Sequence, residues 1–148
     1  MKYLSVTAWW NREYIGSCIS DKMYRLNLIR YTKEYNKAKR NMSNRLIYDY
    51  RANNGYHDWI IKKIELPANF LSTDCNVIIV LQSPRLNKIR QIKFNKVKKI
   101  SISKLKLFDE DTYMVDEWLP CSGNMISFEL LTAGQCSLSL VCEFVCLM

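Results

Sequence analysis

The chain has 148 residues, 49% hydrophobic and 24% charged, the balance of a single globular domain, which excludes a disordered or low-complexity chain. Its longest apolar runs, such as Val77 to Leu81, fall far short of the ~20 residues that cross a bilayer, so no membrane span is expected. The formal net charge is +8, but it is segregated: residues 85–106 carry nine Lys or Arg and no acid, while 109–129 carry six acids and no base. Such blocks arise either from a basic surface for nucleic acid or an acidic partner, or from neighbouring strands whose opposite charges pair across a sheet.

Residues Met1 to Trp10 have one early Lys but no continuous apolar stretch of about 7 to 15 residues, so they do not read as a signal peptide and the chain is expected to be cytoplasmic. In that setting the six cysteines, Cys18, Cys75, Cys121, Cys136, Cys142 and Cys146, read as free thiols that behave as small hydrophobes. No Cys-x-x-Cys knuckle is present and His57 is the only histidine, so no metal site is expected.

From about Asp21 to Asp49 the sequence has neither Gly nor Pro and reads as a long helix entered through Ser20 or Asp21 as N-cap. Tyr24, Leu28, Tyr31, Tyr35, Ala38, Met42 and Leu46 recur at spacings of four and three and form one apolar stripe. Four weak helix formers gather at Asn41-Met42-Ser43-Asn44, where the helix can break in two. After the Asn53-Asn54-Gly55 turn the pattern becomes β, with strands expected over Trp59–Leu66, Asn76–Gln82, Ile89–Phe94 and Val97–Leu107. Ser83 to Asn87 reads as one hairpin connection and Asn95-Lys96 as a tighter one, giving an antiparallel meander. In the last hairpin Ile126, Phe128 and Leu130 alternate with polar residues, Ala133-Gly134-Gln135 turns the chain, and Leu138, Leu140, Cys142, Phe144 and Cys146 are expected to face the core. Val141, Val145 and Leu147 on the opposite face suggest that this face is partly covered too.

These elements predict an α+β fold for residues 1–148 as one domain, with a helical part at about 20–52 and a β part at about 58–148. One long N-terminal helix, or two, would pack on a mostly antiparallel sheet of about six strands ending in the hairpin.

Chemistry is sparse. A hydrolytic triad needs a proton acceptor oriented by a third group, and His57 and Asp58, if they lie in a strand, point to opposite faces. His57 reads instead as a hydrogen-bonding residue at the helix-to-strand corner. The acids Asp109, Glu110, Asp111, Asp116 and Glu117 fall in an expected loop and read as a solvated, partner-facing negative patch. No two of the four glycines are close enough to cradle a phosphate. The chain is therefore expected to be no enzyme, to need no cofactor, and to act by binding.

Two surfaces compete for that role. Lys88, Arg90, Lys93, Lys96, Lys98, Lys99, Lys104 and Lys106 would line adjacent strands and neutralise phosphates, but only Phe94 lies among them as an aromatic, and it alternates as core. The second surface is a protein interface. Nine Tyr and four Trp, including Trp9, Trp10, Tyr14, Tyr48 and Tyr50 in polar surroundings, suit a matched partner. Its candidate contacts are Asp109, Glu110, Asp111, Tyr113, Asp116, Glu117, Trp118, Tyr56 and His57.

At Gly55-Tyr56-His57-Asp58-Trp59-Ile60-Ile61-Lys62-Lys63-Ile64 the chain resembles small bacterial proteins in which a helical N-terminal part leads into a His-Asp-x-x-Ile segment that opens a β-meander. Ile92-Lys93-Phe94-Asn95-Lys96-Val97 is similar to the Phe-x-x-Val step of that group, and the resemblance covers about residues 21–146. Many such proteins are immunity proteins encoded beside polymorphic or contact-dependent toxins. The resemblance implies a stoichiometric complex with one cognate toxin protein, whose active site is occluded without covalent chemistry. With a net charge of +8, such a protein requires either its acidic block at the interface or an acidic toxin.

Overall fold

The stretch free of Gly and Pro forms two helices, not one, in the computed structural model, which describes residues 18–68, 75–103, 111–134 and 136–148. Helix α1 (Cys18–Ala38) runs into one 3-10 turn, Lys39–Asn41, and α2 (Asn44–Ala52) starts afresh. The break falls where the weak helix formers gather. Met42 and Ser43 are extended, and Ser43 Oγ accepts the Leu46 N–H (3.2 Å) as a true N-cap. Tertiary bonds exploit the interruption: Asn41 Nδ2 donates to the carbonyls of Asn124 (2.6 Å) and Glu143 (2.8 Å), and Ser43 N–H donates to Val145 O (2.9 Å).

Two helix expectations are corrected. Nothing between Cys18 and Asp21 stops a helix, so Ser20 and Asp21 lie inside α1 and do not cap it. Tyr31, Ala38, Met42 and Leu46 are buried as the stripe requires, but Leu28 is exposed, together with Met23, Leu26 and Ile29. Residues 22–30 are exposed or half-exposed all round, so the first half of α1 extends past the layer that buries its second half.

Eight strands follow among the described residues: β1 (Ile60–Glu65), β2 (Val77–Gln82), β3 (Ile89–Asn95), β4 (Lys99–Ile102), β5 (Asp111–Cys121), β6 (Met125–Thr132), β7 (Ser137–Cys142) and β8 (Phe144–Leu147). They form one antiparallel sheet in the order β4-β7-β6-β5-β1-β2-β3-β8. The expected count of about six rises to eight for two reasons. Strand β5 occupies a stretch expected as loop, and the last strand is divided at Glu143.

That division reverses the expected facing of β8. Leu138, Leu140 and Cys142 point inward on β7, but after Glu143 the buried residues are Val145 and Leu147, while Phe144 and Cys146 face out. A one-residue slip in a period of two exchanges every later side chain between faces. The Asn95-Lys96 hairpin is also overturned. Lys96 takes a left-handed φ of 51°, but the chain bends there without reversing, because Val97 N–H bonds to Cys75 O (2.7 Å) and β4 continues on to pair with β7.

Because β4 continues β3 and β8 continues β7, the two ends of the sheet meet. Glu143 N–H reaches Asn95 O (3.2 Å) and Lys98 N–H reaches Val141 O (2.7 Å), so the β3–β8 ladder passes into the β4–β7 ladder and the sheet closes on itself in the manner of a barrel. Its centre is aromatic: Trp118 lies 4.3 Å from Phe128 and 5.9 Å from Phe94, centroid to centroid. Among the described residues β5 and β1 pair at Ile60–Thr112 and Ile61–Asp111. Beyond that point α1 lies against β5, and Trp118 N–H donates to Tyr31 Oη (3.2 Å) in place of a strand partner. No helix among the described residues is long and apolar enough to cross a membrane.

Asn41 is the buried bolt between the helical layer and two turns of the sheet. Asn41→Ala leaves both carbonyls without their donor and is expected to cost about 2 kcal/mol in urea unfolding, against about 1 kcal/mol for the cap variant Ser43→Ala.

Candidate functional site

The acidic block does not form a surface patch. Asp109 and Glu110 lie outside the described residues. Asp111 is a turn pin: its carboxylate accepts Thr132 Oγ1, Thr112 N–H (2.8 Å) and Gly134 N–H (3.1 Å), and a Cβ on Gly134 would sit 2.6 Å from Asp111 Oδ2. Tyr113, Asp116, Glu117 and Trp118 are all buried on β5, as is Tyr56, so none of the five can meet a partner in this conformation. The solvated-loop reading fails because β6 pairs with this segment along its length, and the shift in pairing between Tyr113 and Val115 brings Tyr113, Asp116 and Trp118 onto one side.

What the block builds is an internal polar cluster where α1, α2 and β5 meet. Asp116 is 6% exposed. Its Oδ1 accepts the Tyr50 hydroxyl (2.6 Å), and Tyr50 stands edge-on to Trp118 and Tyr56 at 6.0 and 5.6 Å. Tyr31 and Tyr35 complete the wall from α1, with centroids 5.9 Å apart. Burial drives the Asp116 pKa up to about 7 against the pull of the Tyr50 hydroxyl bonded to it. Tyr35 is pushed up to about 12 by burial and by the charge of Asp116.

Tyr56 is delivered to this wall by an unusual corner. Asn54, Gly55, Tyr56 and Asp58 all have φ between 50° and 69°. The Tyr56 hydroxyl donates to Asp49 Oδ2 (2.7 Å), and Arg90 Nε clasps both Asp49 oxygens at 3.0 and 2.9 Å. Burial alone would raise the Asp49 carboxyl, but the Arg90 and Tyr56 hydrogen bonds, with the charges of Arg90 and Lys88, hold it below its ordinary range. His57 and Asp58 occupy the turn itself and not a strand, so the expected divergence is corrected: Nδ1 lies 2.9 Å from Asp58 Oδ1, with both side chains well exposed.

The basic residues divide among three settings. Arg90 points toward α2 and is held by Asp49. Lys96 and Lys98 bind Glu143 at 3.1 and 3.5 Å. Lys93 lies on the outer face of β3, Lys88 is exposed near the start of β3, and Lys99 is exposed on β4. They do not make one continuous phosphate track. A depression of about 500 Å³ opens beside Arg90, lined by Arg45, Tyr48, Asp49, Ala52, Arg90 and Leu147. Tyr48, 72% exposed, stands at its rim. Arg45 escapes a reading of the sequence because only the fold brings α2 next to the starts and ends of β3 and β8.

The outer face of β1-β2-β3-β8 is the least expected surface. Registry aligns Ile60, Gln82 and Ile89 in one row, Lys63, Val80 and Gln91 in the next, and Glu65, Ile78, Lys93 and Cys146 in a third, with Phe144 beside Asn95. An antiparallel sheet with one face in the core ordinarily shows polar residues on the other. Here Ile60, Ile78, Val80, Ile89 and Phe144 interrupt that alternation, and Ile89 and Phe144 are 56% and 40% exposed. Among the described residues no group of three or more His, Cys, Asp or Glu is gathered to hold a metal. No protein-family model, curated protein or solved structure matches the chain.

The Asp49 carboxyl, with its lowered pKa, contributes stability that is complete above the unfolded value near 3.8 and is lost as pH falls through the folded value. Asp49→Asn is therefore expected to be about 1–3 kcal/mol less stable than the parent near pH 6, with the gap narrowing toward about pH 2.5, as read from urea unfolding at each pH.

Proposed function

We propose that this chain is an immunity or antitoxin-like binding protein that neutralises a cognate bacterial toxin by forming a stoichiometric complex and occluding its active site. The observation that supports this reading best is the apolar and basic outer face of β1-β2-β3-β8, continued at its edge by the Arg45, Tyr48 and Arg90 depression. Half-exposed Ile60, Ile78 and Val80 lying between exposed Ile89 and Phe144, with Lys63 and Lys93 among them, suit a protein interface, where a few aromatic, aliphatic and arginine anchors carry most of the binding energy. The burial of Asp116 and Glu117 favours the basic one of the two charge arrangements open to such a protein. The interface is the basic one, and the toxin presents an acidic surface to it.

A second reading, a nucleic-acid-binding accessory domain, is favoured by one feature. Tyr48 stands exposed beside Arg45 and Arg90, an aromatic platform among cations of the sort that stacks a base.

Salt and mutation separate the two. Co-expression with the protein product encoded beside this chain is expected to yield a 1:1 complex. Ile89→Asp and Tyr48→Ala should each weaken it about tenfold or more in calorimetry, and its affinity should change modestly between low and high salt. A steep log-linear loss of affinity with salt on single-stranded RNA or DNA, with no protein complex, would instead establish the nucleic-acid reading.

A further inference from the structure

The carboxyl of Asp116 sits at the one place where both helices and β5 converge, and its hydrogen bonding is half complete. Oδ1 takes the Tyr50 hydroxyl, while Oδ2, Tyr35 Oη, Tyr113 Oη and Trp118 Nε1 are buried without a hydrogen-bond partner. We propose that Asp116 is a proton-operated latch between the helical layer and the sheet: as a neutral acid it holds α1 and α2 against β5, and as a carboxylate it loosens them. The neutral form supplies the O–H donor that a tyrosine oxygen in this cluster can accept, whereas the ionised form leaves a full charge in a site closed to water.

The groups facing it offer little compensation for that charge. From α1 come Tyr31 and Tyr35. From α2 comes Tyr50, with Arg51 acting on Tyr35. The corner contributes Tyr56, whose hydroxyl is committed to Asp49 and hence to Arg90. Strand β5 adds Tyr113, Trp118 and the buried Glu117. The Tyr50 hydroxyl bond draws the Asp116 pKa down, and burial outweighs it, taking the value from 3.8 to about 7. Burial likewise raises Tyr31, Tyr35, Tyr50, Tyr56 and Tyr113, so these hydroxyls stay neutral through the same range.

The sign follows from linkage. Between about pH 4 and pH 7 the folded chain holds a proton that the unfolded chain has released, so stability from this group is greatest in acid, falls as pH rises through that window, and is level above it. This latch belongs to the chain itself and does not depend on the identity of its partner.

Amide hydrogen exchange of α1, α2 and β5, corrected for intrinsic rates and recorded from about pH 5 to pH 8, tests it, alongside a carbon-13 titration of the Asp116 carboxyl. In the parent, helix protection is expected to fall on the order of tenfold to a hundredfold across that range. Asp116→Asn should abolish the dependence, and His57→Gln, which removes the imidazole, should keep it. Tyr50→Phe deletes a donor that holds the Asp116 pKa down and should move the midpoint to higher pH, which keeps the test available if Asp116→Asn does not fold. Protection that is independent of pH in the parent, a fall that survives in Asp116→Asn, a fall that vanishes in His57→Gln, or an unmoved midpoint in Tyr50→Phe would each overturn the proposal.

Discussion

The fold is governed by the need to leave as little sheet edge as it can unpaired. Bending at Lys96–Lys98 and at Glu143 lets two consecutive strand pairs share one continuous ladder, so that β4 and β8 end the sheet by name but adjoin each other's continuations in space. Glu143, with Lys96 and Lys98 on its carboxylate, clamps the two bends together. Along β5 past Tyr113, the side away from β6 is covered by α1. The position of α1 is thus a consequence of where strand pairing stops, and the Tyr31 hydroxyl on the Trp118 N–H is the local substitute for a missing strand.

Covering β5 with tyrosines has an electrostatic consequence. Tyrosine brings large apolar area and one hydroxyl that needs a partner. Five of them converge near β5, and Asp116 serves as acceptor for one. The cluster is therefore a polar island in an aromatic core, tied outward through Tyr56, Asp49 and Arg90 to the surface depression. Interior and proposed interface are joined by the edge-on contact of Tyr50 with Tyr56, between two short hydrogen-bonded relays.

Much of the fold was legible in the residues. Asn41 to Asn44 announced the helix break because weak helix formers cluster there, and the alternation of β6 and β7 announced their faces. Strand β5 was not legible: Asp111, Asp116, Glu117 and Pro120 resemble a loop in composition, and the slipped pairing between Tyr113 and Val115 destroys the period of two that would have revealed it. The facing of β8 was lost for the same kind of reason, a single irregular residue at Glu143. The candidate surface was half legible. Lys88 to Lys99 announced positive charge, but the apolar outer face depends on registry, and the depression depends on α2 meeting β3 and β8, neither of which is encoded within any one segment. Asp116 and Glu117 read as a solvated loop because their burial depends on pairing with β6 and on Tyr113 and Trp118 packing beside them.

The corner at Asn54 to Asp58 carries a last implication. Left-handed backbone at three non-glycine residues costs of order 1–3 kcal/mol apiece, offset by Tyr56, wedged among Trp59, Tyr50 and Tyr113, and by the Asp58 N–H bond to Tyr113 O. The corner therefore fastens three elements at one point, the end of α2, the start of β1 and the middle of the aromatic wall on β5.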